Sequence, residues 1–159
     1  MGRTTTPAPV NRPTVIRNLT RAATAYGNTF GWTTAIVRDG LVLLLTGDRV
    51  GVAMPAALAH DVAAELRRRD SRGPTLALPG REPHWVFLAD LNGAIPLQDK
   101  APDGVTFVSS PRVLALPPTS MMDGPVRWAV PPDPCRRWLP TFDAVLCGIA
   151  SATGSIRDA

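Results

Sequence analysis

Proline and glycine divide the second half of this chain into short pieces, and this limits the regular structure that it can form. The sequence holds 17 prolines and 13 glycines among its 159 residues. Proline lacks the amide hydrogen that helices and central strands need, and both residues favour turns. The runs between them are rich in strand-forming residues, and they read TLALP, HWVFLA, VTFV, RVLALP and VRWAV. We therefore predict that the second half is mostly sheet.

The first half carries longer periodic runs, which predict a helix followed by three strands. From Pro13 onward, apolar residues recur at three- and four-residue spacing, and Gly27 or Gly31 would end the helix. Two strands follow as WTTAIVR and LVLLLT, and the Asp39-Gly40 pair between them is a hairpin signal. The third strand is RVGVAM.

Two further helices and an irregular segment complete the predicted elements. Pro55 opens an alanine-rich amphipathic helix that Ser71 and Gly73 close. Residues 131–140, which read PPDPCRRWLP, cannot form regular structure because of their prolines. Thr141 is then the predicted N-cap of a final helix over TFDAVLCGIASA.

These elements predict an α+β fold in which a mixed or antiparallel sheet is flanked by helices. The length fits one domain. We place that domain at residues 13–153, between a flexible N-terminal arm at residues 1–12 and a frayed C-terminus at residues 154–159.

Arginine supplies almost all of the positive charge. The chain has 17 Lys+Arg against 13 Asp+Glu, which gives a net charge of +4, and Lys100 is its one lysine. A sequence pI near 10.0 permits a nucleic-acid partner without requiring one. The planar guanidinium suits phosphates and bases, although GC-rich coding explains the same bias.

The residue inventory excludes several reaction classes. The two histidines and two cysteines cannot form the usual spacings of a four-ligand zinc site. The chain also lacks the GxSxG, HExxH and GxGxxG motifs and the phosphate-binding P-loop. We therefore predict no metal and no cofactor. Cys147 lies in an apolar run and is predicted to be a core residue, while a disulfide with Cys135 stays open.

The N-terminal run MGRTTTPAPVNRP is polar and rich in proline, unlike the apolar core of a signal peptide. No apolar run of the sequence approaches the ~18 residues of a membrane span. We expect a cytoplasmic protein without membrane contact.

Three segments of the sequence form a recognisable series. They are AATAYGNTFGW at the end of the first helix, LPGREPHWVFL in mid-chain and VLALPPTSMMDGPVRWAV near the end. In this order they resemble the bifunctional DNA primase/polymerase N-terminal domain, of the archaeo-eukaryotic primase superfamily, over roughly residues 15–150. In that family a Gly-x-His-x-aromatic strand carries a nucleotide-contacting histidine, and a Pro-Pro-Ser/Thr strand end precedes a Gly-x-x-Tyr/Trp strand. The resemblance implies a reduced primase-polymerase domain.

Nucleotidyl transfer in that family needs clustered carboxylates that hold divalent metal ions. The family's first motif is Asp-hydrophobic-Asp at a strand end, and Val52, Ala53 and Met54 occupy that place here. The third motif's acidic residue is missing from VTFVSSPRVLALPP. Asp48 and Asp103 lie nearby, but both fall in predicted turns. The resemblance therefore implies a degenerate domain without catalytic residues.

His84 is the signature residue of the family that this sequence keeps. The resemblance implies that it contacts nucleotide phosphates, with Arg81 as a second cationic donor. Arg112 and Arg127 are predicted on adjacent late strands, from which both could extend the same basic surface. These four residues predict a surface for a nucleotide or single-stranded nucleic acid. The alternative is that His84 is an inert residue at a strand start.

A second set of residues predicts contact with a protein partner. Met121 and Met122 follow a Pro-Pro pair in a predicted loop, and exposed methionines are common at adaptable interfaces. Arg136, Arg137 and Trp138 lie in the irregular segment, where they can bind a phosphate or an acidic partner.

Three functions follow in order of preference. The first is an inactive primase-polymerase-like domain that retains nucleotide or single-stranded nucleic-acid binding. The second is a regulatory protein-interaction module that reuses the fold without nucleic acid. An active primase or polymerase ranks last, because the metal-binding carboxylates are missing.

Overall fold

The computed structural model of the chain describes residues 12–154, which form three α-helices, a short 3-10 helix at Gln98–Lys100, two main sheets and a small hairpin. The α-helices are α1 (Arg12–Phe30), α2 (Ala56–Arg68) and α3 (Phe142–Thr153). The strands are β1 (Thr34–Val37), β2 (Gly40–Leu44), β3 (Arg49–Pro55), β4 (Thr75–Leu78), β5 (His84–Asp90), β6 (Thr106–Val108), β7 (Val113–Leu116), β8 (Ser120–Met121), β9 (Gly124–Pro125) and β10 (Arg127–Val130).

The larger sheet has the strand order β10-β4-β5-β3-β6, and each neighbouring pair is antiparallel. β3, α2 and β4 form a split β-α-β unit, because β5 lies between the two strands that the helix connects. α2 and α3 cover one face of this sheet. Gly148 of α3 allows the two helices to approach, since a Cβ there would lie 3.0 Å from Leu66 Cδ2. The core on this face includes Val52, Met54, Val62, Leu66, Phe87, Val145 and Ile149.

The opposite face of the larger sheet is covered by α1 and by the smaller sheet, whose order is β1-β2-β7. The two sheets pack against each other at Gly51 of β3. A Cβ there would lie 3.0 Å from Leu114 Cδ1 of the smaller sheet and 2.8 Å from Val86 Cγ1 on the neighbouring strand β5, so a side chain at this position would displace both. The core on this face includes Leu19, Trp32, Leu41, Leu43, Leu76, Val86, Leu88, Leu114 and Leu116.

The predicted fold class is confirmed, since antiparallel sheets are flanked by helices. Each predicted strand and helix is present. α1 continues through Gly27 and ends just before Gly31, whose φ of 69° is left-handed. Arg12 is already helical, so the predicted arm is at least one residue too long. The rest of that arm, and residues 155–159 of the predicted frayed end, lie outside the described residues.

Two predicted loops differ in detail from the structure. The turn between β1 and β2 is Arg38-Asp39 instead of Asp39-Gly40, because Val37 pairs with Gly40. Arg38 takes the left-handed φ of 57° that this turn requires. Ser120 and Met121, predicted to lie in a loop, form β8, which pairs with β9 in a hairpin.

Cys147 is exposed, so its prediction as a core residue is wrong. α3 buries Phe142, Val145 and Ile149, and the helical period places position 147 on the other side. Cys135 is also exposed, and both thiols are free.

Candidate nucleic-acid interface

The structure separates His84 and Arg127, two of the four residues predicted to share a nucleotide surface. His84 is in register with Leu78, which packs on the core shared with α1. Arg127 is in register with Ala77, and this row continues to Trp85, which packs on the core under α2. Partners in register point to the same face of a sheet and successive residues to opposite faces. The two side chains therefore point to opposite faces of the larger sheet.

Arg112 lies far from His84, near the other end of the sheets. It precedes β7, which pairs with β2, so the prediction that Arg112 and Arg127 lie on adjacent strands is wrong. β7 joins the smaller sheet because its leucines pack between the two sheets. Val108, the last residue of β6 and four positions before Arg112, pairs with Gly51, whereas His84 pairs with Pro55. At about 3.3 Å per residue, these two positions of β3 are ~13 Å apart.

Arg81 lies in the bend before β5, and His84 is the first residue of that strand. His84 Nδ1 lies 2.7 Å from the carbonyl oxygen of Glu82, a distance at which a protonated Nδ1 donates a hydrogen bond. Pro55 pairs with His84, and Ala53 lies two residues along the same face of β3. These positions carry no carboxylate. Across residues 12–154, no group of three or more His, Cys, Asp or Glu residues could hold a metal ion.

The three segments that resemble primase-polymerase motifs meet in space. In the first segment, the Tyr26 hydroxyl donates to the Pro117 carbonyl oxygen at 2.9 Å and accepts from Trp128 Nε1 at 3.1 Å. Both partners belong to the third segment. Burial raises the pKa of Tyr26, and the hydrogen bond from Trp128 opposes that rise. A Cβ at Gly124 would lie 3.5 Å from Pro79 Cβ, which brings the second segment against the third. These motif residues therefore hold the core and the hairpin together.

The residues predicted to bind a protein partner fall on two separate surfaces. Met121 and Met122 lie on the hairpin of β8 and β9, beside the turn that leads to His84 at the start of β5. The segment with Arg136–Trp138 lies at the other end of β5, where the amide of Asp90 donates to the Pro140 carbonyl oxygen. The two groups are therefore separated by the length of that strand.

The segment at residues 131–140 contains no helix or strand, as predicted, but side-chain bonds anchor it. Arg136 Nη2 donates to Asp70 Oδ1 at 2.7 Å, just after the end of α2. Arg137 Nε donates to the Thr29 carbonyl oxygen at 2.8 Å, at the end of α1. The next residue, Trp138, is 78% exposed. An anchored backbone thus presents a large aromatic side chain to solvent.

Two clefts open beside Trp138, and its side chain lines both. The first has a volume of about 400 Å³, and its charged lining residues are Arg72, Asp133 and Arg136. The second has a volume of about 250 Å³, and its charged lining residues are Asp48, Arg49, Asp90 and Arg137. We call Trp138 together with Arg49, Arg72, Arg136 and Arg137 the Trp138 ridge.

A third cleft, of about 300 Å³, shares Arg72 with the first and adds Arg67 from α2. The three clefts together are lined by five arginines and three aspartates, so positive charge is in excess. A guanidinium has five N–H donors. Arg136 and Arg137 therefore keep donors for a ligand after making their structural bonds.

The sequence did not identify Arg49 and Arg72 as part of this surface. Arg72 has a sufficient local explanation just beyond the end of a helix, where cations are favourable. Both residues are more than 60 positions from Trp138 along the chain. Only the tertiary structure brings them to the same clefts.

No family model, curated protein or solved structure matches this chain. The resemblance to primase-polymerase domains therefore stays a prediction that rests on the three segments quoted above. Between residues 12 and 154, no helix is long and apolar enough to cross a membrane.

Proposed function

We propose that this protein is a binding domain for single-stranded nucleic acid that does not catalyse nucleotidyl transfer, with the Trp138 ridge as its contact surface. The observation that carries the proposal is the exposed indole of Trp138 between two arginine-lined clefts. Because side-chain hydrogen bonds anchor the segment at residues 131–140 to the ends of α1 and α2, this segment loses little conformational freedom when a ligand binds.

The chemistry of the ridge fits a nucleic-acid strand in two ways. An unpaired base can stack on the Trp138 indole, which contributes about 1–3 kcal/mol per base whatever the sequence. Trp138 lines two clefts, and Arg136 lines one of them while Arg137 lines the other. The phosphates before and after a stacked base can therefore each meet a guanidinium. This arrangement requires a flexible single strand, because the bases of a duplex are already stacked.

The test is a titration of the full chain with fluorescently labelled oligothymidylate at several salt concentrations. We expect binding that weakens with salt, with a log–log slope of about −0.7 for each phosphate contacted. Trp138→Ala should weaken binding by about 5- to 150-fold, which is the loss of one stacked base. Trp138→Phe should retain most of the affinity because it keeps an aromatic face.

The matched control is Ile95→Ala, which changes another strongly exposed apolar residue outside the ridge. Absence of oligothymidylate binding at low salt would contradict the proposal, and so would equal affinities for the Trp138→Ala and control variants. If His84→Ala weakens binding and Trp138→Ala does not, the Arg81–His84 turn is the nucleotide surface that the sequence predicts.

A protein-interaction module is the second candidate, and the β8–β9 hairpin favours it. Met122 at the tip of this hairpin is fully exposed, and Met121 beside it is also exposed. Flexible thioether side chains adapt to many apolar surfaces. Co-purification with a stoichiometric protein and without nucleic acid, lost in a Met121→Ser/Met122→Ser double variant, would establish this function instead.

A further inference from the structure

The outer face of the smaller sheet is apolar, although it faces away from both cores. In β2 the buried residues Leu41 and Leu43 alternate with the partly exposed Val42 and Leu44. Registered partners extend the outer row across β1 and β7. The outer face consists of Ala35, Val37, Val42, Leu44, Val113 and Ala115. A two-sided sheet of this kind normally carries polar residues on the face that meets water.

Five of the six side chains on this outer face pack on neither core, and the sixth, Ala115, contacts the core shared with α1. Val42 and Leu44 pack on neither core cluster, even though they belong to the central strand. Val37 is 53% exposed and Val113 is 44% exposed. α1 does not lie over this face, because Tyr26 reaches Trp128 on the larger sheet and so places α1 on the inner side. The described part of the chain therefore has an apolar patch that packs on neither core, formed by Ala35, Val37, Val42, Leu44 and Val113.

The size of the patch indicates what can cover it. Three strands at ~4.8 Å spacing and four residues in register give a face of about 10 Å by 10 Å between Cα atoms. A stable dimer buries about 800 Å² on each partner, far more than this face offers. A single helix has a diameter of about 10 Å, and an apolar stripe at i, i+3 and i+7 spans ~10 Å along its axis. The face therefore fits one helix.

Charge at the ends of the patch indicates which charge the flanking residues of that helix carry. Arg38 follows Val37 at the hairpin end of the patch, and Arg112 precedes Val113 at the opposite end. Both arginines are exposed. The nearby carboxylate of Asp39 is already paired with Arg12 at 3.4 Å. Acidic groups flanking an apolar stripe would thus meet a guanidinium at each end.

We propose that the outer face of the smaller sheet is a docking site for an amphipathic helix of a partner protein, with a short apolar stripe flanked by acidic residues. The helix lies over Val42 and Leu44, and its acidic groups contact Arg38 and Arg112. This site is separate from the Trp138 ridge and does not depend on the function proposed for it.

The test uses ¹⁵N-labelled full chain and two synthetic helical peptides of about four turns. The peptides share a leucine stripe at i, i+3 and i+7, and differ only in having Glu or Lys around it. We expect the Glu peptide to shift the backbone amide signals of residues 35–44 and 113–115, and to bind at least ~10-fold more tightly than the Lys peptide. The Arg38→Glu/Arg112→Glu double variant should reverse this preference.

Leu44→Glu should weaken Glu-peptide binding by about tenfold or more, because it removes a leucine contact and adds a like charge. Val113→Glu, at the exposed edge, provides a second variant that does not depend on the central strand, and Ile95→Glu is the matched control on another surface. The proposal is overturned if the Glu peptide shifts no signals on this face, or if the Lys peptide binds equally well. Two other results would also overturn it. One is a dimer in sedimentation equilibrium that Val113→Glu abolishes, and the other is binding of the chain to anionic vesicles that Val113→Glu abolishes.

Discussion

Replacing Tyr26 by phenylalanine removes one oxygen atom and should destabilise the fold by about 2 kcal/mol. The hydroxyl joins α1 to two distant segments, through the Pro117 carbonyl oxygen at 2.9 Å and Trp128 Nε1 at 3.1 Å. A typical hydrogen bond contributes a net ~0.5–1.5 kcal/mol, and a half-buried Trp128 N–H left without its acceptor adds to the loss. Two bonds therefore give about 2 kcal/mol, or a fall in Tm of about 4–8 °C for a domain of this length.

The measurement is urea unfolding followed by circular dichroism, on the wild type, Tyr26→Phe, Trp128→Phe and the double variant. Because both single changes break the same hydrogen bond, the double-mutant cycle should give a coupling energy of about 0.5 kcal/mol or more. Thr20→Ala is the control, since the Thr20 hydroxyl bonds only to the Ile16 carbonyl oxygen of its own helix in an exposed position. Unfolding of Tyr26→Phe within about 0.5 kcal/mol of the wild type, the range of an ordinary surface substitution, would refute the reasoning.

Three further predictions concern the effect of pH, a buried hydroxyl group and a close packing contact. Burial raises the pKa of Tyr26, so the unfolded chain loses the phenol proton first, and stability should fall as pH rises above about 10. Tyr26 is the one tyrosine of the chain, so ultraviolet titration of the native protein should show a midpoint above 10. Thr119→Val should destabilise the fold by about 2 kcal/mol in urea unfolding, because the buried hydroxyl bonds both the amide and the carbonyl of Leu41. Gly73→Ala should lower both Tm and oligothymidylate affinity, because its Cβ would lie 2.4 Å from Pro140 Cδ and would displace the segment with Trp138; unchanged values of both would contradict this.

Local chemistry made most of the secondary structure predictable. Pro55 and Thr141 stand immediately before α2 and α3, and the Thr141 hydroxyl accepts from the Ala144 amide as an N-cap should. Trp85 and Phe87 pack under α2 and Val86 and Leu88 pack on the opposite face, as the two-residue period of a strand requires. One error was in the turn between β1 and β2, because Arg38-Asp39 and Asp39-Gly40 could both form a two-residue turn.

Strand partners were not predictable in the same way. β7 and β10 have similar apolar patterns, and they are close in sequence, yet they join different sheets. The choice depends on packing between the sheets, where Leu114 of β7 lies over Gly51. The sequence indicates that Leu114 and Gly51 each lie in a strand, but it does not indicate that Leu114 packs over Gly51.

The candidate site, too, was predictable where it depends on local sequence and not where it depends on contacts between distant segments. The sequence identified Arg136, Arg137 and Trp138 as candidate binding residues of an irregular segment, because prolines prevent regular structure there. The sequence did not show that Arg49 and Arg72 lie beside these residues. The prediction that Arg112 and Arg127 lie on adjacent strands was wrong.

The sequence by itself determined the α+β class, the approximate extent of each helix and main strand, and which residues of each strand are apolar. These properties depend on residues close together in the chain, through backbone restriction by proline and glycine and through hydrophobic period. Tertiary structure alone decided the sheet partners, the separation of His84 from Arg127, the clefts at Trp138 and the uncovered face around Leu44. Each of these depends on contacts between distant segments, whose geometry is fixed when the two cores pack.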